Sequence, residues 1–173
     1  MKKLMLAAIA LLLTVSVVYA ESQNIVYIDS ERIMMESQDT QEAQQMYQSE
    51  QKEWDEEIAE LEEQIDALNN EYESKKMILT ESGKVEAQEK INQLLEKRQQ
   101  KIQEIYGDQG LAMQRNAELL EPILEKLRNV IEKVAVENNY DMVLDVASGA
   151  VRYAKPKLDI TDQVIEEMNE TVE

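Results

Sequence analysis

The constraint that dominates this chain is a long apolar seam on a polar helix. Tyr47, Trp54, Ile58, Leu61, Ile65, Leu68, Tyr72 and Leu79 recur at intervals of seven, four, three, four, three, four and seven. This is the 3.5-residue period of a coiled coil, with only Gln51 and Lys75 as polar occupants. A second seam is predicted to return through Ile91, Leu95, Arg98, Ile102, Ile105, Gln109, Ala112, Asn116, Leu119 and Ile123. Between them Met77 to Lys84 forms the tip, where Thr80 or Ser82 can cap a new helix and Gly83 weakens the old one. Two long amphipathic helices joined by a short break pack antiparallel. At ~1.5 Å per residue the outgoing limb is about 60 Å long, more than a compact domain of this size needs. The hairpin projects.

Its flanks supply the rest. Residues 1–20 have the form of a cleaved signal peptide: Lys2-Lys3, an apolar run from Leu4 to Val18, then Val18-Tyr19-Ala20. The expected product is an exported protein of a bacterial envelope. The chain has no cysteine, so neither a disulfide framework nor a lipid-modified cysteine is available. Ile25 to Ile28 reads as a strand buried on both faces, and Asp29 or Ser30 as the cap of a short helix over 31–36. Asp39 with Glu42 offers a capping box for the long helix. Beyond Pro122 the stripe Leu124, Leu127, Val130/Ile131 and Val134 runs to a polar stop at Asn138-Asn139. Residues 140–146 alternate, with Met142, Leu144 and Val146 on one face. Ser148-Gly149 supplies a turn, and Val151 to Ala154 reads as the partner strand, carrying Val151 and Tyr153. Asp159 or Thr161 caps a last helix.

The expected fold is therefore α+β and mostly α. An arm over 41–119, with its tip near 77–84, projects from a β-containing body made of 21–40 and 120–173. Three short strands and two short helices bury little core and leave sheet edges open, so self-association is the simplest completion. Three breakers interrupt the return limb. Gly107 and Gly110 are expected in mid-helix, either making room for the Trp54 indole or forming a hinge. Pro122 removes a helical hydrogen bond and marks the junction of arm and body.

Charge narrows the function classes. Without Lys2 and Lys3 the chain holds 16 basic and 36 acidic residues, net −20. That argues against nucleic acid and anionic membranes as partners. Residues 41–79 carry twelve acids and three bases; residues 84–138 carry ten and nine. Folding the hairpin about Glu81 sets Lys97, Arg98 and Lys101 beside Glu60, Glu62 and Glu63. Histidine and cysteine are both absent, which removes zinc sites, thiol nucleophiles and histidine acid–base chemistry. The many carboxylates lie on solvated helix faces where no cleft shifts their pKa. No enzyme, cofactor or metal site is expected. Met77, Ile78 and Leu79 are the apolar triplet at the tip, serving either the helix–helix connection or contact with a partner's apolar segment.

Taken together, several segments resemble the Skp/OmpH family of periplasmic chaperones. They are Ile25-Val-Tyr-Ile-Asp29, the long hairpin, Leu119-Leu-Glu-Pro-Ile-Leu124, Asn139-Tyr-Asp-Met-Val-Leu-Asp145, Val151-Arg-Tyr-Ala154 and Asp159-Ile-Thr-Asp-Gln-Val-Ile165. The resemblance implies a homotrimer closed by a small β-barrel. Its helical arms would hold unfolded outer-membrane proteins without ATP. Well-studied members are basic, and the acidity of this chain argues against the anionic lipid and lipopolysaccharide binding of those members. The alternative is a structural or adaptor trimer of the envelope that grips one folded partner.

Overall fold

The computed structural model describes residues 23–170, so the predicted signal peptide lies outside the described residues. Strand β1 spans Ile25–Ile28 and helix α1 spans Ser30–Glu36. Asp29 caps α1, its carboxylate accepting from Arg32 N at 3.1 Å. Helix α2, Gln38–Lys75, begins three residues before the sequence places it. The reason is Ser37, which is fully buried and serves two helices. Its N–H donates to Ile33 O (2.9 Å) and closes α1, while its Oγ accepts from Thr40 N (3.4 Å) and opens α2. Asp39 is not the cap; its carboxylate receives Lys126 Nζ at 2.6 Å instead. After the tip, Thr80 caps helix α3, Glu81–Tyr106, by accepting from Gly83 N at 3.1 Å.

The return limb is two helices, not one. Helix α3 stops at Tyr106 and helix α4, Leu111–Glu137, starts after Gly110. Between them Gly107 N bonds back to Gln103 O (2.9 Å), Gly110 N bonds to Gly107 O (2.8 Å), and Gln109 adopts φ 61°. The glycines are thus not in mid-helix. A Cβ at Gly107 would stand 2.3 Å from Gln103 O, and one at Gly110 2.5 Å from Ile105 O. The nearest crowding atoms belong to Gln103, side chain and carbonyl, at Gly107 and to the backbone of residues 104 and 105 at Gly110, not to Trp54. Tyr106 pairs with Asp55 and Arg115 with Glu50. From one pair to the next the return limb therefore advances nine residues while the outgoing limb advances five. About one helical turn is looped out, so the helices resume in nearly the same phase.

Across the seam Leu61, Ile65, Ile91, Ile105 and Ala112 are buried. Tyr47 and Trp54 are half-buried and meet edge to face at 6.3 Å. The returning seam differs from expectation at three positions: Leu94 packs inward while Leu95 is exposed, and Gln109 and Asn116 face solvent. Arg98 reaches Glu62 (3.3 Å) as the hairpin predicts. Lys101 reaches Glu57 (3.0 Å) and not Glu60, and Lys97 stays exposed.

Helix α4 continues through Pro122 into the body. There Ile123, Leu127, Val130 and Val134 pack against Val26, Ile28, Ile33, Ile160, Val164 and Met168, every one of them buried. The stop at 138–139 is observed, with Asn138 Nδ2 donating to Val134 O (2.8 Å) and Asn139 at φ 53°. Strand β2, Met142–Asp145, runs parallel to β1, pairing Ile25 with Met142 and Tyr27 with Leu144. On β1's other edge Ile160 N donates to Tyr27 O (2.9 Å), just before helix α5, Thr161–Glu170.

This body corrects two expectations. Strand β1 is buried on one face only: Val26 and Ile28 point inward while Ile25 and Tyr27 are half-covered. The segment 151–154 forms no strand. The connection between the two segments is instead held in local turns. Ala147 N donates to Asp145 Oδ1 (3.0 Å), Gly149 N to Val146 O (3.0 Å) and Ala150 N to Ser148 Oγ (3.4 Å). Gly149, at φ 72°, then directs the chain off the sheet.

Asp145 ties β2 to the start of α1 by accepting from Ser30 Oγ (2.6 Å), Ser30 N (3.2 Å) and Ala147 N. Burial opposes its ionisation, but these donors outweigh burial and hold its pKa below the ordinary value. Its stabilisation is therefore present above the ordinary carboxylate range and lost as pH falls through the lowered value. Replacing Asp145 by alanine is expected to cost about 2 kcal/mol at neutral pH, because three donors lose a charged acceptor. Urea unfolding should show this gap closing as pH falls below the ordinary carboxylate range. Separately, Gly107→Ala and Gly110→Ala should each destabilise the arm by about 1–3 kcal/mol in thermal unfolding followed by circular dichroism, since the carbonyls in contact must move.

Candidate functional site

The surface able to engage another molecule is distributed along the arm and across the sheet. At the tip, Ile78 N and Leu79 N both donate to Lys75 O (2.9 and 3.1 Å), which fixes a tight turn after α2. The turn separates the predicted triplet. Leu79 is half-buried and lines a hollow between the limbs with Leu68, Tyr72, Gly83 and Ala87, whereas Met77 and Ile78 are 89% and 83% exposed. The two uses weighed for the triplet thus fall on different residues: Leu79 joins the helices, and Met77 and Ile78 face outward.

At the other end of the arm Pro122 lines a groove with Ala43, Met46, Leu119 and Ile123, edged by the Asp39–Lys126 ion pair. On the opposite flank Met34, Met35, Leu120 and glutamines 41, 44 and 45 line a wider depression of about 610 Å³ whose only acid is Glu31. Residues 113, 117, 120 and 124 (Met, Ala, Leu, Leu), spaced four, three and four, form an apolar stripe outside the seam. The sequence holds that period, but the buried seam shares the same helix and obscures it. Exposed Met35, Met46 and Met113 carry no local sequence signal of exposure.

In the body, Ile25, Tyr27, Met142 and Leu144 come together as one face of the two-stranded sheet. Met142 and Leu144 are 50% and 38% exposed, although Val143 beside them packs on the core. The face shared by the alternating residues is therefore the outer one. Val146 and Val151 are half-buried off the strands, and Tyr153 is exposed and apart from that face.

Charge is distributed unevenly over the arm. Among the described residues Glu53, Glu60 and Glu63 lie on α2 without a basic partner, while Lys101, Arg98 and Arg115 bridge the two limbs. The hydrogen bond from the Tyr106 hydroxyl to Asp55 (2.6 Å) raises the Tyr106 pKa, so this link stays protonated through neutral pH. Among the described residues no cluster of three or more potential metal ligands converges. The arrangement offers apolar spots on a charged frame, which suits many weak contacts with a partner.

The profile of a family described as outer membrane protein (OmpH-like) matches residues 24–168. No curated protein matches the chain closely enough to count as a relative. A solved structure from Caulobacter crescentus CB15, described as an OmpH-like outer membrane chaperone, shares the fold with a TM-score of 0.79 at 17% identity. The match covers 87% of this chain and 86% of that one. With nearly all of its described length matched by the family profile, the chain belongs to the OmpH-like family of outer membrane proteins.

Proposed function

We propose that the protein is a periplasmic holdase that captures unfolded outer-membrane proteins without ATP. In this role it acts as a homotrimer. The observation that carries the proposal is the division of apolar surface between a projecting arm and a small body. The body leaves a four-residue apolar sheet face incompletely covered, with Ile25 and Tyr27 half-covered and Met142 and Leu144 exposed. Association of three copies through that face and the free edge of β2 would cover both and direct the arms to one side. Arms at 41–119 would then surround a space walled by charged helices with apolar spots at the tip, the stripe and the junction. Membership of the OmpH-like family, and the chaperone described for the Caulobacter protein of the same fold, support this reading.

Holding an unfolded chain through weak contacts needs no nucleotide, because release follows from the client's own folding or transfer. The break at 107–110 and the proline at the junction are proposed to let the arm adjust to clients of different size. An unfolded β-barrel protein diluted from denaturant should stay soluble with the protein present and nucleotide absent. Aggregation at the unassisted rate would overturn the proposal. Co-purification of one stoichiometric folded protein, in place of many precursors, would favour an envelope adaptor.

Two further outcomes follow from the trimer and from the acidity. A chain lacking residues 42–119, bridged by a short linker, should still sediment as a trimer; a folded monomer would show that the body does not hold the subunits. The acidic arm should favour clients with basic segments, with capture faster at low ionic strength and weaker, though not abolished, at high salt. Equal capture of acidic and basic clients at low salt, or tight binding to anionic vesicles, would reduce the charge to a solubilising role.

A further inference from the structure

Methionine placement divides this chain in a way the function above does not use. Met35, Met46, Met77 and Met113, on the arm and at its foot, are 64%, 47%, 89% and 61% exposed. Met168, in the body core, is fully buried, and Met34 is half-buried against that core. Met142 lies on the sheet face that association is proposed to cover. The chain has no cysteine, so no thiol of its own competes for an oxidant.

Each of the four sits beside a different apolar spot. Met77 adjoins Ile78 at the tip, and Met46 lines the groove with Leu119, Pro122 and Ile123. Met35 borders the depression with Leu120, and Met113 heads the stripe on α4. The unbranched, polarisable thioether adapts to varied apolar surfaces, which suits contact with unrelated unfolded chains.

We infer that these four residues are an oxidation-sensitive site through which a peroxide lowers client capture while the body stays folded. The thioether sulfur attacks one oxygen of hydrogen peroxide, and an S–O bond forms as the O–O bond breaks. Sulfur loses two electrons and becomes a sulfoxide. The peroxide gains them, and the proton left on the transferred oxygen passes to the departing hydroxide, giving water. A flexible apolar contact becomes a polar one at the tip, stripe, groove and depression together, whereas Met168 is shielded and the core is unchanged. The effect on capture rests on the holdase reading; the placement of the methionines does not.

The test treats the full-length exported chain with hydrogen peroxide and follows three readouts. Peptide mass mapping should place one added oxygen on each of the four residues before any on Met168. The thermal transition should be unmoved, and apparent affinity for an unfolded β-barrel client should fall roughly tenfold. Methionine sulfoxide reductases should restore it. A variant carrying Met35→Leu, Met46→Leu, Met77→Leu and Met113→Leu, compared with its own untreated form, should lose none of its capture on treatment. Oxidation of Met168 at the same rate, undiminished capture by the oxidised chain, or an equally sensitive variant would each overturn the inference. Absence of capture by the untreated protein would instead remove the holdase reading, and the inference with it.

Discussion

Ile123, Leu127, Val130 and Val134 form the stripe on which both halves of the molecule depend. They lie on α4, which is at once the last part of the arm and the centre of the body. Burying side chains of this size is worth roughly 1.5–3 kcal/mol each, while an exposed ion pair adds about 0–1 kcal/mol. The arm alone has no comparable resource. Two helices side by side can bury only one stripe, and most of the seam beyond Leu61, Ile65, Ile91, Ile105 and Ala112 is half-covered. The arm is positioned because its root is fused to a core, and Ser37 and the Asp39–Lys126 pair fasten the second limb to the same place.

That dependence explains the charge pattern. A helix that buries a narrow stripe must present a polar surface everywhere else, and acids with scattered bases meet the requirement. Lys101, Arg98 and Arg115 cross to the acidic limb at heights set by the register, where they align the two limbs more than they stabilise them. Apolar residues outside the seam are then exceptions that need a partner. They are concentrated at the tip, along α4 and on the sheet.

Much of this was legible in the sequence wherever a local rule had no competitor. The outgoing seam, the two cap sites (each narrowed to a pair of residues, of which Asp29 and Thr80 are the ones used) and the stop at Asn138-Asn139 are set by residues within one turn of each other. Other features depended on contacts that the sequence does not display. Asp39 was a plausible cap until Lys126 claimed it, and Ser37 is the cap because tertiary burial fixes it there. The glycines revealed a disturbance but not a looped-out turn, since that requires counting residues on both limbs between matched pairs. Residues 151–154 have the composition of a strand, yet the turns at 145–150, with Gly149 at positive φ, lead the chain away from the sheet. For the candidate site, the sequence placed Met77, Ile78 and Leu79 at the tip without saying which of them turns outward, and the outward face of β2 was equally hidden, because alternation gives two faces without saying which is covered.

The parallel pairing of β1 and β2 has a consequence for how the chain assembles. Asn24 and Asp141, which flank the two strands, bond across a sequence separation of 117. Closing so long a loop from a disordered chain is entropically costly, and contacts of this separation form slowly. The hairpin reduces that cost. Its own contacts are most local at the tip, where Thr80 caps α3 five residues after α2 ends, and pairing can proceed from there toward the body. By the time Asp39 meets Lys126, the outer parts of the chain are side by side and the sheet has only short segments left to close. A nascent chain cannot complete the body until its last segment is free, but it can form the arm first. The limb that reaches outward in the finished protein is also the zipper that brings the chain's distant ends together.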